Sequence, residues 1–473
     1  MEERTLNFIA TACAGRLINA PADAAVRGIA TDSRAVRPGE LFAALSGPNF
    51  DAHDFLVDVC SKGAAAALVE EKRVAALPSD LPCVVVPNTR IALGMLAGAY
   101  REQFDLTAIA VAGSNGKTST KEMVASVLRQ KIETLASAAS FNNEIGVPLT
   151  LLQAGSQHRA GVFEVGTNHP GELRPLLKMV HPDAGIITSI GREHLEFFGT
   201  LESVLQEEGT LAEMLPSRGF LVIHGEGFGA EALAARSAAR VIRVGSGSRN
   251  EWRVADIRME KSGTRFSLSG EDSNFEGEYH IQLFGAHQVV NATYAVVVGK
   301  ELGLGRAEIQ RGLASCTGAK RRMELKQIDD FWVLDDAYNA NADSMQAALD
   351  TLQNFPCRGR RIAVLGEMAE LGESSVMAHE EIGRRAAAGK VDFLVTVGNS
   401  RKIMAKAARG AGLRHVVELA EADQAGPAVT EMVRPGDLVL IKASRSARLE
   451  RVVDFLAARF ATPGHSGPRP EGS

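Results

Sequence analysis

Short apolar runs, each followed by a helical stretch, set the rhythm of this chain. The runs CVVV (83–86), TAIAVAG (107–113), AGVFEV (160–165) and AGIITSI (184–190) read as strands, and their alternation with helical segments predicts a mainly parallel sheet flanked by helices. The theme returns after about residue 317 in FWVLDD (331–336), RIAVLG (361–366), DFLVTVG (392–398) and DLVLIKA (437–443), a Rossmann-like pattern. Before residue 82, short strands mix with helices, and Pro38 with Gly39 marks a turn ahead of the apolar strand 41–45. The expected class is therefore α/β, with domains at 1–81, 82–316 and 317–461. Residues 462–473, TPGHSGPRPEGS, are rich in Gly, Pro and Ser and are expected to form a disordered tail.

Length agrees with that division, since 473 residues allow about three domains at roughly 150 residues each. A hydrophobic share of 45% with 23% charged residues is ordinary for a globular protein, and the net charge of −5 gives no footprint for nucleic acid or an anionic membrane. No apolar run approaches the roughly 20 residues needed to span a bilayer, and MEERTLNFIATA lacks the apolar core of an export signal. The five cysteines (Cys13, Cys60, Cys83, Cys316, Cys357) are scattered and form no C-x-x-C pair, which suits reduced thiols in a cytoplasmic protein.

The chemistry begins at AVAGSNGKTSTKEM (110–123). A strand, then Gly113, Ser114, Asn115, Gly116, Lys117, Thr118 and Ser119, then a helix, is the setting for a phosphate loop. Glycines let backbone N–H groups approach oxyanions, and the helix N-terminus adds a favourable dipole. Lys117 would neutralise the outer phosphates and the Thr118 hydroxyl would reach Mg²⁺. The long form of such loops has a glycine five residues before the second Gly, where this chain has Val111. Glu164 closes the apolar run of AGVFEV, and His194 follows the next run, so a carboxylate and an imidazole at strand ends could share a cation. His194 alone reads first as a hydrogen-bonded structural histidine. No Asn-Lys-x-Asp base-reading motif is present, which argues against a GTPase.

These residues resemble the Mur ligase family of ATP-dependent amide-bond-forming enzymes, over roughly residues 26–458. Its loop is the shorter G-[ST]-N-G-K-T, matched by GSNGKT and starting at Gly113. The resemblance implies a small α/β UDP-binding domain, a central P-loop ATPase domain and a Rossmann-like ligase domain, with ATP and Mg²⁺ as cofactors. TDSRAVRPGELFAALSG and FDAHDF resemble the UDP-sugar-binding segment, which makes Ser33 and Arg34 substrate candidates. SFNNEIGVPLTLL (140–152) resembles a substrate-facing segment through Asn142 and Asn143, although Ser140 stands where the pattern has Asn. GAHQVVNATYA (285–295) is similar to the segment that lies against adenine. His287 and Asn291 match it, and Gln288 replaces an Asn. As a bare pattern that stretch reads as a helix N-terminus with Asn291 on the surface.

Arg322 in KRRMELK falls at the family's phosphate-contacting arginine, and the resemblance puts Asp336 of DDAYNANADSM on the ATP ribose. Tyr338, Asn339 and Asn341, with Ser444 and Arg445 of the K-G-S-R-like KASR, would face substrate. YNANADSM and LGEMAELGESSVMAHEEIG (365–383) point to the branch that joins D-Ala-D-Ala to UDP-MurNAc-tripeptide, with Lys117, Glu164, His194 and Arg322 carrying the chemistry and a monomer expected. Other readings are a ligase of the same fold that adds a single amino acid, a folylpolyglutamate-synthase-like enzyme, and a non-catalytic nucleotide-dependent regulator.

One departure touches the metal site. The family carries a lysine, carbamylated to bind a second Mg²⁺, in F-G-S-x-E-x-I-A-x-A-K. FGTLESVLQEE places Glu208 there. The expectation is that Glu208 supplies a carboxylate to that metal without needing CO₂. The alternative is an exposed helical glutamate.

Overall fold

A computed structural model describes residues 1–461, so the expected tail at 462–473 lies outside the described residues. The chain forms two compact units. One comprises Met1–Ile190, Leu205–Glu251 and Tyr294–Gly312; the other comprises Gly191–Val204, Trp252–Thr293 and the described residues from Leu313 onward.

In the first unit, an N-terminal sheet runs in the order Arg16–Ile18, Cys83–Val86, Ala66–Glu70, Leu41–Ala43, Ile29–Ala30. All its pairs are parallel except that of Arg16–Ile18 with Cys83–Val86. This corrects the division expected at 81/82: CVVV closes the N-terminal sheet instead of opening the central one. The run is apolar and buried throughout, and nothing in its composition says which neighbour it pairs with; its register against Ala67–Glu70 decides that. Phe42, Leu56, Val59, Val69 and Val85 pack beneath this sheet.

The phosphate loop belongs to a second, all-parallel arrangement in the same unit. Its order is Thr134–Ala136, Ala160–Glu164, Thr107–Ala112, Ala184–Ile187, Phe220–His224, Arg240–Gly245. Ala108 to Ala112 are fully buried, the environment of a parallel strand covered on both faces, which is why the run does not alternate. Thr107–Ala112 sits between the strand that ends in Glu164 and the strand 184–187, so all three carboxyl ends open on one edge, where open α/β sheets bind ligands.

The second unit holds an antiparallel meander, Trp252–Glu260, Gly263–Gly270 and Gly277–Ile281, that the search for apolar runs passes over. Half-exposed strands give no continuous apolar run, and a register shift between Ala255 and Arg258 breaks the period. Its main sheet has the order Glu324–Ile328, Phe331–Asp336, Leu438–Lys442, Arg361–Leu365, Phe393–Val397, His415–Leu419, parallel except for the first pair. The four expected strands are all present. The two additional ones lie at the edges and are too polar to announce themselves. Helices cover both faces, with Met345, Leu349 and Ile382 in one core and Val429, Val452 and Leu456 in the other. No helix among the described residues is long and apolar enough to cross a membrane. None of the five cysteines forms a disulfide.

Candidate active site

The phosphate loop turns on two glycines in left-handed backbone, Gly113 at φ +109° and Gly116 at φ +90°. A Cβ on Gly113 would lie 2.5 Å from Thr188 Oγ1 and 2.8 Å from Ser189 O, so both space and conformation exclude any other residue. Ser189 steadies the loop: its carbonyl accepts from Ser114 N at 2.8 Å and its hydroxyl from Asn115 N at 3.1 Å. The helix Lys117–Leu128 starts directly from Gly116. Lys117 Nζ folds over the loop, donating to Gly113 O at 2.5 Å and Ser114 O at 3.2 Å. The loop is complete from Gly113, and Val111 is a fully buried strand residue.

Thr118 and Glu164 meet as expected. Thr118 Oγ1 donates to Glu164 Oε1 at 3.1 Å, and Asn142 Nδ2 donates to the same oxygen at 2.9 Å. Ser140 Oγ lies 3.4 Å from Thr118 Oγ1, so the serine at the departing position still reaches the site. Glu164 is 1% exposed, and its Oε2 is buried without a hydrogen-bond partner. A buried anionic oxygen left open in this way is costly without a positive partner. A hydroxyl beside it adds a second oxygen donor of the kind Mg²⁺ takes alongside water and phosphate oxygens, so these residues fit the ion. Among the described residues no group of three His, Cys, Asp or Glu is placed to hold a metal.

Glu208 is not the exposed helical residue of the alternative reading. It is fully buried, and its Oε2 accepts from Gly113 N at 2.7 Å, at the first amide of the phosphate loop. Its neighbour Glu207 is buried for another reason, accepting from Gly171 N and Leu173 N, both at 2.8 Å, at the start of the helix Leu173–Val180. Asn143 likewise does structural work: its Oδ1 accepts from Gly146 N at 2.9 Å, beside the helix Gly146–Leu151. A buried ammonium absent from the expected site, Lys121, donates to Ser137 O at 2.7 Å and Ala139 O at 3.0 Å and thereby fixes the segment leading to Asn142. In the N-terminal sheet region Ser33 is nearly buried, while Arg34 is exposed and forks onto Asp32, holding that carboxyl well below the usual range.

In the second unit, His194 sits in left-handed backbone at φ +48°, and its Nδ1 is 2.5 Å from Glu370 Oε2. Glu193, missed by the sequence reading, is buried with its Oε2 4.0 Å from His194 Nε2. Arg192 pairs with Asp343 at 2.8 Å and Glu381 at 2.7 Å. His287, Gln288 and Asn291 sit at the head of the helix Ala286–Glu301. Asn291 is buried, against the surface reading, and Gln288 explains it: Asn291 Nδ2 donates to Gln288 Oε1 at 3.1 Å, so the longer amide at the departing position satisfies the matching one. Burial pushes the partly covered His287 imidazole down to about 4.

Arg322 lies over the Tyr338 ring at 4.3 Å, between two residues in left-handed backbone, Arg321 and Met323. Asp336 is held on both oxygens, by Met323 N at 3.0 Å and Lys442 Nζ at 2.6 Å, and Lys442 also donates to Asn339 O at 3.0 Å. In the sequence Lys442 is only the first residue of KASR; the parallel register of Phe331–Asp336 with Leu438–Lys442 sets it opposite Asp336. Asn341 caps the helix Ala342–Asn354 through Ser344 N, and Ser444 donates to Glu367 O at 2.8 Å, so both have structural partners. Arg445 is exposed and reaches Glu450 at 3.3 Å.

Residues 25–101 match the Mur ligase family catalytic domain, 111–299 the Mur ligase middle domain, and 321–445 the Mur ligase glutamate ligase domain. The chain belongs to the Mur ligase family of ATP-using ligases. More particularly, it is 33% identical over 464 residues to the UDP-N-acetylmuramoyl-tripeptide--D-alanyl-D-alanine ligase of Bacillus subtilis (strain 168), covering 96% of this chain and 99% of that one. The crystal structure of MurF from Acinetobacter baumannii superimposes with a TM-score of 0.88 at 30% identity, covering 97% of this chain and 99% of the other. MurF ligase from Thermotoga maritima, solved in complex with ADP, gives 0.81 at 26% identity, covering 92% and 98%.

Proposed function

We propose that this chain joins D-Ala-D-Ala to UDP-MurNAc-tripeptide at the expense of ATP, giving UDP-MurNAc-pentapeptide, ADP and phosphate. The observation that carries this reading is near-full-length similarity to ligases of that reaction, in a chain whose Glu164 and Asn142 are hydrogen-bonded to one another and, through Thr118, to the phosphate loop.

The terminal carboxylate of the tripeptide attacks the γ-phosphorus of ATP, forming an acyl phosphate and releasing ADP. The dipeptide amine then attacks the acyl carbon, the C–N bond forms, and phosphate leaves. The first step brings two anions together, so positioning and charge neutralisation dominate it. Loop amides from Ser114 to Thr118 cradle the phosphates, and Lys117 Nζ, already poised over the loop, supplies a positive charge. Mg²⁺, held by Thr118 and Glu164, would add Lewis-acid neutralisation of the same oxygens. Arg322, steadied on Tyr338, serves as a further phosphate contact; His194 would help to hold a second Mg²⁺, which would screen the reacting carboxylate.

His287 and Asn291 form the adenine wall, and Asp336, oriented by Lys442, binds the ribose. Ser33 and Arg34 contact the UDP end. Asn142, Tyr338, Asn339 and Arg445 face substrate, while Asn143, Asn341 and Ser444 shape the backbone around it. Glu208 braces the loop at Gly113 and would offer its carboxylate to a second Mg²⁺. ATP and a UDP-sugar are cytoplasmic substrates, which assigns the reaction to the cytoplasm, and the protein is expected to act as a monomer. The three expected domains correspond to binding of the UDP-sugar, ATP and the incoming dipeptide.

The test is phosphate release from ATP and Mg²⁺ with UDP-MurNAc-tripeptide, with and without D-Ala-D-Ala. Release dependent on the dipeptide is expected. Release that needs no dipeptide, or that responds to glutamate or a diamino acid, overturns the reading.

A further inference from the structure

We infer that Glu370 is a positioning residue that fixes the tautomer and direction of the His194 imidazole; this rests on His194 belonging to the ligase site. A carboxylate can only accept, so the 2.5 Å approach of Glu370 Oε2 places the proton of His194 on Nδ1. In the neutral ring the lone pair then lies on Nε2, the nitrogen that a cation or its bound water takes and the one that faces the Glu193 carboxylate at 4.0 Å. Imidazoles at metal sites are commonly backed by a carboxylate in this way, and the backing group governs both ring orientation and basicity.

The two loops are also joined by backbone. Glu196 N donates to Glu370 O at 3.0 Å, so the residue that orients the ring is itself locked to the turn that carries it. Gly372, in left-handed backbone at φ +54°, packs so closely that a Cβ there would stand 3.1 Å from Glu196 Cα. Met368 and Leu371, each 3% exposed, anchor the Glu370 loop in the core below. On the other side of the histidine, Arg192 is fastened to Asp343 and Glu381. His194 and Glu370 both hold left-handed backbone, at φ +48° and +61°, a conformation that persists only where surroundings enforce it. Nothing local in the sequence pairs these residues, which are 176 positions apart.

The experiment uses the full chain with Glu370→Ala and Glu370→Gln, and Glu373→Ala as a control in the same exposed turn. Nitrogen-15 histidine spectra of the nucleotide-free protein, with His194 assigned by its loss in His194→Ala, report the tautomer without turnover. Wild type is expected to show Nδ1–H; Glu370→Ala should convert His194 to a mixture of tautomers. In phosphate-release assays Glu370→Ala should lower kcat about 10- to 100-fold and raise the Mg²⁺ needed, leaving the KM for ATP within about twofold. Glu370→Gln, whose amide oxygen can still accept from Nδ1, should recover most of the rate, which loss of a merely structural contact would not predict. An unchanged tautomer and rate in Glu370→Ala, with His194→Ala inactive, overturns the inference. Full activity in His194→Ala overturns instead the role of His194 on which it rests.

Discussion

Replacing Glu208 with alanine removes the acceptor of the Gly113 N–H, a 2.7 Å bond inside a fully buried site. A hydrogen bond to a charged group contributes about 1.5–3 kcal/mol, and the stranded amide has no easy escape. Gly113 is held at φ +109° against Thr188 and Ser189, so the loop cannot turn that N–H elsewhere without losing its own fold. The loss therefore falls on the order of the phosphate loop, which nucleotide binding must restore. Taking about 2 kcal/mol, the Kd for ADP should rise roughly 30-fold at 1.4 kcal/mol per decade. Titration calorimetry with ADP, in EDTA and then in Mg²⁺, separates two roles. A loop brace weakens binding in both conditions; a metal ligand alone weakens it only with Mg²⁺. Glu208→Gln keeps an acceptor oxygen and should stay within about threefold of wild type in EDTA, since only the charge contribution is lost. Wild-type affinity of Glu208→Ala for ADP in EDTA would refute the bracing argument. Because a glutamate brings its own carboxylate, depletion of CO₂ should not lower the rate of phosphate release.

Three further outcomes follow from the geometry. Glu164→Gln neutralises the one oxygen of the phosphate-loop carboxylate that has no hydrogen-bond donor, so phosphate release should fall by more than the roughly 100-fold typical of losing an outer-shell partner. ADP binding in EDTA should survive, and its loss would mean that Glu164 is structural. Lys442→Met strands Asp336 and should cost about 3 kcal/mol in urea denaturation, with part recovered in Lys442→Met/Asp336→Asn; no recovery would refute the pairing. Burial depresses His287 from 6.5 to about 4, so between those values the unfolded chain binds a proton that the folded chain refuses. Its contribution is intact above pH 6.5 and is lost as pH falls toward 4, by at most about 3 kcal/mol. Urea midpoints at pH 7 and pH 5 should converge in His287→Gln relative to wild type, and an equal gap in both proteins would contradict this account.

Local pattern decided a large part of this protein. The parallel strands of the phosphate-loop domain and of the Rossmann-like region were legible because strands covered on both faces must be apolar throughout, and GSNGKT was legible because a phosphate loop is made of consecutive residues. Thr118 and Glu164 could be paired in advance, since both lie at carboxyl ends of strands or the helix that follows one. Pairing between elements was not legible. Cys83–Val86 looks like any buried strand, and only its register against Ala66–Glu70 assigned it to the N-terminal sheet. The polar edge strands and the antiparallel meander carry no continuous apolar run, and so gave no signal.

The same limit applies at the site. Glu207 and Glu208 are neighbours of identical chemistry, yet helical geometry sends one to the amides of Gly171 and Leu173 and the other to Gly113. Gln288 and Asn291 satisfy one another only because one helical turn brings their amides together. Lys442 finds Asp336, and His194 finds Glu370, across 106 and 176 residues. A hydrogen bond depends on position to within a few tenths of an ångström, and sequence spacing carries that information along a single loop or helix turn. Between elements, it is the packing of the sheets that supplies it.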